Sequence, residues 1–151
     1  MVEGFNAVDL KEDSLSFNLS NIKWGWVVLG VAIAFVIAYG SSICMTTGYA
    51  TYLAFQVLGT PDQTMINQFA ANTAKGVVSI LIGVGTLVGG VVAGRKAKAD
   101  ALQNGLAVGL ITALKGLVLS FLSSLNLWTV VWFALSIGGG WVGGQLASKR
   151  A

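Results

Sequence analysis

The chain has 151 residues, 55% of them hydrophobic and 10% charged, with a mean hydropathy of +0.77. Ordinary soluble domains carry roughly 25% charged residues, so a water-soluble fold of this length would lack the charges to cover its surface. A net charge of +3, no histidine and one cysteine argue against nucleic-acid binding and remove the usual ligands of haem, zinc, copper and iron–sulfur centres.

Residues 1–23 are polar and mixed in charge, with Phe5, Val8, Leu10, Leu15, Phe17, Leu19 and Ile22 scattered through them. They read as a cytoplasmic or interfacial segment against a membrane surface or a partner, or as a disordered tail. Glu3, Asp9, Glu12 and Asp13 stand where a secretory signal would be basic, so the first apolar run is expected to remain as an anchor. That run opens at Lys23, Trp24 and Trp26, a mixture suited to the headgroup layer of a bilayer.

From Trp24 to Leu58 the chain stays largely apolar. As one helix at about 1.5 Å per residue this stretch reaches ~50 Å, beyond the ~30 Å of a hydrocarbon core yet too short for two spans and a turn. The expectation is one span over about 24–46 and a helical or interfacial extension over 47–58, with Gly40 and Gly48 as bend points and Thr60, Pro61 and Asp62 as the stop. Cys44 reads as a small apolar filler. Residues 61–75 lead back to the bilayer, with Lys75 as an interface anchor.

A second span is expected over about 76–94, closed by Arg95, Lys96 and Lys98, a third over 101–123, and a fourth over 127–147, ending at Lys149 and Arg150. Trp128 and Trp132 fall at the opposite end of the fourth, as interface anchors alongside Trp24, Trp26, Lys75, Arg95 and Lys96. If the last two spans form a hairpin, the basic clusters share one face with Lys23. The excess of basic residues on that face then places both termini in the cytoplasm. The fold class that follows is all-α: an integral membrane four-helix bundle, with 24–151 as one transmembrane domain.

Small residues recur at every fourth position in each span. The first carries Gly30, Ala34, Ala38 and Ser42; the second carries Gly85, Gly89 and Ala93 beside Thr86, Gly90 and Gly94. The third carries Ala101, Gly105, Gly109 and Ala113, and the fourth has Ser136, Gly140, Gly144 and Ser148 beside Gly139, Gly143 and Ala147. Such GxxxG-type ridges let membrane helices approach backbone to backbone. They either build the monomer alone or leave faces over for other subunits.

Lys115 is the one charge well inside an expected span, about 100° around the helix from the Ala101–Ala113 ridge. It either snorkels to the headgroups, pairs with a partner, or lines a polar path with Thr112. No Asp or Glu falls inside a span, which argues against proton-coupled carriers and rotor rings. Nor does the sequence offer a nucleophile–base pair, a carboxylate pair or a metal site, so no enzyme activity and no cofactor are expected. The glycines of 83–89 imitate a dinucleotide loop, but they continue at membrane-helix spacing into a basic stop.

The order Gly89-Gly90-Val91-Val92-Ala93-Gly94-Arg95-Lys96-Ala97, then Asn104-Gly105-Leu106-Ala107-Val108-Gly109-Leu110, then Gly138-Gly139-Gly140-Trp141-Val142-Gly143-Gly144 resembles that of small uncharacterised four-helix membrane proteins of bacteria and archaea. The resemblance covers roughly the C-terminal half. It implies four spans and their topology and transfers no catalytic residue; the expected location is a prokaryotic inner or energy-converting membrane. The functional expectation is a non-enzymatic structural or accessory subunit of a larger membrane assembly, binding other membrane subunits or further copies of itself through glycine and alanine faces. The alternatives are a small oligomeric channel or transporter with Lys115 in a polar path, and a pigment- or lipid-binding subunit.

Overall fold

A computed structural model describes residues 19–98, 100–123 and 127–149, with backbone alone for 74, 75 and 119–123. The question of surface segment or tail at residues 1–18 lies outside these. Over the described residues the chain is all-helical: a short 3-10 turn at Leu19–Asn21, then α1 (Trp24–Val57), α2 (Gln63–Lys75), α3 (Val77–Ala97), α4 (Ala101–Ser123) and α5 (Leu127–Ser148). The four long helices, α1, α3, α4 and α5, are each long and apolar enough to cross a membrane.

α1 starts where the Lys23 N–H donates to Asn104 Oδ1 of α4 at 2.9 Å, which satisfies one of the donors a helix start leaves open. It ends at Leu58, whose left-handed backbone (φ 48°) turns the chain into Gly59. Between these points the helix is unbroken through Gly40 and Gly48, the two expected bend points. A glycine weakens a helix by about 1 kcal/mol but removes no hydrogen bond from its ladder, so in a run this apolar the helix continues.

α2 falls in the stretch read as a simple lead back to the bilayer. Pro61 and Asp62 stop α1, but Asp62 also starts a helix: its carboxylate accepts the Thr64 N–H at 2.8 Å, an N-cap of the ordinary kind. Ile66 and Thr73 are buried while Gln63, Asn67 and Gln68 are exposed, so one stripe of α2 packs and the rest faces out. Tyr49 of α1 stacks on Phe69 of α2 with ring centroids 4.1 Å apart. This folds α2 back along the C-terminal part of α1.

The long helices form two antiparallel pairs. In the first, α1 meets α3: a Cβ placed on Gly85 would lie 2.7 Å from the Ala34 carbonyl oxygen, and one on Gly30 would lie 2.7 Å from that of Gly89. In the second, α4 meets α5: a Cβ on Gly105 would lie 2.6 Å from Gly144 Cα, and one on Gly109 would lie 2.6 Å from the Ser136 carbonyl oxygen. The pairs join through α3, which packs against both α4 and α5. α3 and α5 run parallel, Gly90 beside Gly140 and Gly94 beside Ala147. The interior between these helices is built of small side chains, with Ala34, Ala38, Ala93, Ala113 and Ala147 all at 0% exposure.

Helix directions bring the basic residues to one end. Lys23 bonds Asn104 near the start of α4, Lys96 at the end of α3 lies 5.8 Å from the Trp26 ring, and Lys149 follows α5. At the other end α3 begins beside Trp128, whose ring lies 3.8 Å from a Cβ placed on Gly76. Ala38 of α1 already packs in the cluster of Val78 near the α3 start. The last three turns of α1 therefore rise past the bundle, with α2 alongside.

Candidate functional site

The glycines of the small-residue ridges all face neighbouring helices of the same chain. Gly89 lies on Gly30. Gly139 lies on Thr86 and Gly83, and Gly143 on Leu87; Gly140 abuts Gly105 and Gly109, and Gly144 abuts Leu102. A side chain at any of these would meet backbone, so the faces expected to be left over for other subunits are occupied within the monomer. The open glycines are Gly25, Gly40, Gly48 and Gly138, where an added methyl would have nothing within 4 Å. A shallow apolar groove of about 300 Å3, to which Ile80, Gly83 and Leu87 of α3 and Leu135, Gly138 and Val142 of α5 contribute, interrupts the α3–α5 surface.

The polar residues of the spans separate into two sets. Thr86, Thr112, Asn104 and Ser136 are at 0% exposure. The Thr86 hydroxyl donates to the Ile82 carbonyl at 2.9 Å and that of Thr112 to the Val108 carbonyl at 2.8 Å, local bonds that close the polar group onto its own helix. The Ser136 hydroxyl, buried between α5 and α4, has no partner. Lys115 belongs to the other set: it is exposed, on the side of α4 that turns toward α1, with Nζ 3.7 Å from the centroid of Phe35. Phe35 in turn stacks on Tyr39 at 5.7 Å.

Lys115 and Thr112 therefore do not line one path: the threonine is sealed in the interior, and the lysine lies outside on an aromatic ring. Phe35 is eleven residues beyond Trp24, about 16 Å along α1. The ammonium thus sits near the middle of the slab between the basic end and the Trp128 end. A lysine on a helix leans toward its own N-terminus, and here that lean carries Nζ toward Phe35 rather than up to the end of α4.

Of the expected interface anchors, Trp24, Trp26, Arg95 and Lys96 are exposed at the basic end and Trp128 is exposed at the other. Trp132 departs from this pattern. Its indole packs against the Ala34–Ile82 cluster and its Nε1–H points at the Thr112 carbonyl at 3.4 Å. Gly116 makes the room, since a Cβ there would overlap the indole. Lys75 ends α2, and its side chain is outside the described residues. Cys44 is exposed rather than filling a gap between helices.

The extension expected over 47–58 is the far end of α1, helical to Val57 and largely open on its apolar side chains. Tyr52, Phe55, Val57 and Leu58 are 56%, 76%, 63% and 93% exposed, and Met65 of α2 is 47% exposed. Their bulk and position beyond the first ~30 Å of the helix were the available signal. Among the described residues no group of three His, Cys, Asp or Glu could hold a metal ion. Comparison with family models, with curated proteins and with solved structures returns no match, so the likeness to small four-helix membrane proteins extends no further than the residues quoted for it.

Proposed function

We propose that the chain is inserted in a membrane by its four long helices and serves as a non-enzymatic structural or accessory subunit of a larger assembly. The observation that carries this reading is the apolar crest of the α1–α2 hairpin. α1 has 34 residues, about 51 Å at the helical rise, and a bilayer core takes up some 30 Å of it. What remains holds Tyr52, Phe55, Val57 and Leu58 beyond the bundle, where α2 leaves them open and where, on this reading, they stand outside the hydrocarbon core. Contiguous exposed apolar surface of this kind marks a contact with another protein.

The basic end, by the positive-inside rule, lies in the cytoplasm with both termini, and the hairpin projects on the opposite side. The glycine and alanine packing positions serve the bundle itself, in which close backbone approach is a main source of helix association. Extraction from native membranes in a gentle detergent, followed by native mass measurement, tests the reading. Further subunits are expected with the wild-type chain and are expected to be lost on Phe55→Glu with Leu58→Glu, two exposed positions whose change leaves the bundle intact. A lone species of 15.7 kDa from wild-type membranes would overturn it.

A further inference from the structure

Lys115 is a charge that no other described residue answers. Among the described residues no carboxylate lies within ion-pair distance of it, and its neighbours Phe35, Leu114 and Val118 are apolar, the last two 56% and 58% exposed. An ammonium at the centre of a bilayer is costly, and such groups pair with a counter-charge or face water. The Phe35 ring offsets part of that cost, since its face attracts a cation. The rest of the ammonium points outward.

Three sources of counter-charge can be compared. A second copy of this chain brings no carboxylate on a spanning helix: Glu3, Asp9, Glu12 and Asp13 precede the first apolar run in sequence, and Asp62 and Asp100 stand between helices. A lipid phosphate lies at the bilayer surface, about 15 Å away, and reaching it would lift the lysine off Phe35. A helix from a different polypeptide can bring a carboxylate to any depth. α1 and α4 touch less than the other adjacent pairs of long helices, and α1 is the least buried of the four spans, at 22%.

We propose that the α1–α4 face around Lys115 and Phe35 seats a transmembrane helix of a different protein that carries one carboxylate at mid-bilayer depth, accepting from the Lys115 ammonium. This rests on the reading of the chain as a membrane-inserted subunit among others, and it fixes the chemistry of one partner. It also makes the assembly heteromeric, because no spanning helix of this chain carries a carboxylate.

The test uses the full-length protein in phosphatidylcholine vesicles, with a donor dye on Cys44, the one cysteine, which is exposed. Acceptor-labelled synthetic Leu/Ala helices carry a central Glu or, as control, a central Leu. Energy transfer should show the Glu helix binding about tenfold more tightly than the Leu helix, the size of effect an interhelical polar contact gives. The preference should vanish in Lys115→Leu and survive in Lys115→Arg; position 115 faces outward, so circular dichroism should show both variants folded. Equal binding of the two helices to wild type, or a Glu preference that persists in Lys115→Leu, would overturn the proposal. Loss of the preference when phosphatidylglycerol replaces part of the phosphatidylcholine would also overturn it, by assigning Lys115 to a lipid phosphate. Subunits co-purifying from native membranes alongside a failed peptide test would sink this inference and leave the accessory reading standing.

Discussion

Gly89 and Gly138 are both glycines in apolar helices, and sequence alone gives them the same weight. In space they are opposites. A Cβ on Gly89 would overlap the Gly30 carbonyl, while one on Gly138 meets nothing within 4 Å. Gly89→Ala is therefore expected to destabilise the bundle by about 1–3 kcal/mol through forced separation of α1 and α3. Gly138→Ala should be neutral or stabilise by up to about 1 kcal/mol through helix propensity alone. Unfolding in mixed micelles with increasing sodium dodecyl sulfate distinguishes the two, and equal shifts would contradict the described contacts. Ser136 sits on the small-residue ridge that pointed to packing, but its unpartnered hydroxyl was not legible: it is buried on α5 with no hydrogen-bond partner among the described residues. A buried polar group with no hydrogen bond is a liability, so Ser136→Ala should raise stability by about 1 kcal/mol in the same assay. A loss of comparable size would mean that the hydroxyl has a partner. Lys115 was legible as a residue to watch, because a charge inside an apolar span stands out. That it rests on Phe35 was not legible, since the two are far apart in sequence and only the packing of α4 beside α1 brings them together.

At the scale of elements, four of the five described helices are long and apolar and could be read from hydropathy. α3 runs on to Ala97, taking Arg95 and Lys96 into its last turn, where cations suit the helix dipole. α2 was missed because it is polar overall, so a search for apolar runs passes over it. Its signal was the N-cap at Asp62 and a narrow apolar stripe through Ile66, Phe69 and Thr73. The Tyr49–Phe69 stack is the one aromatic pair described between α1 and α2, which also packs against α3. Phe69→Ala removes an aromatic pair worth about 0.5–1.5 kcal/mol beyond its buried area. Amide exchange across 63–75 should then accelerate while exchange in α3 and α5 stays unchanged. Acceleration spread through the whole bundle would show instead that α2 is integral to the core.

Considered whole, the molecule is the same construction used twice. Gly30, Ala34 and Ala38 of α1 oppose Gly85 and Gly89 of α3; Gly105, Gly109 and Ala113 of α4 have the same spacing, and so have Gly140 and Gly144 of α5, which they oppose. Each pair closes at the same end with basic residues. The groove between α3 and α5 repeats the pattern, with Ile80, Gly83 and Leu87 on one wall and Leu135, Gly138 and Val142 at equal spacing on the other. What differs is the link within each pair: three residues between α4 and α5, and the whole α1 crest with α2 between α1 and α3. The two halves meet through the α3–α5 and α3–α4 contacts, and the chain between them is a tight turn in which Lys98 and Asp100 both have positive φ, 59° and 51°. A positive φ at a residue that carries a side chain costs on the order of 1–3 kcal/mol, so this link strains the chain where it connects the halves. If the bundle is held by contacts between pairs rather than by this connection, the chain can be cut there without losing the fold. Residues 1–98 and 99–151 expressed together should associate, co-elute in detergent at the size of the intact chain, and show the helical content of the uncut protein. Separate elution of the two pieces would mean that the interface through α3 is too weak to assemble the pairs by itself, and that the strained turn, by keeping the halves at high local concentration, is what holds the molecule as one.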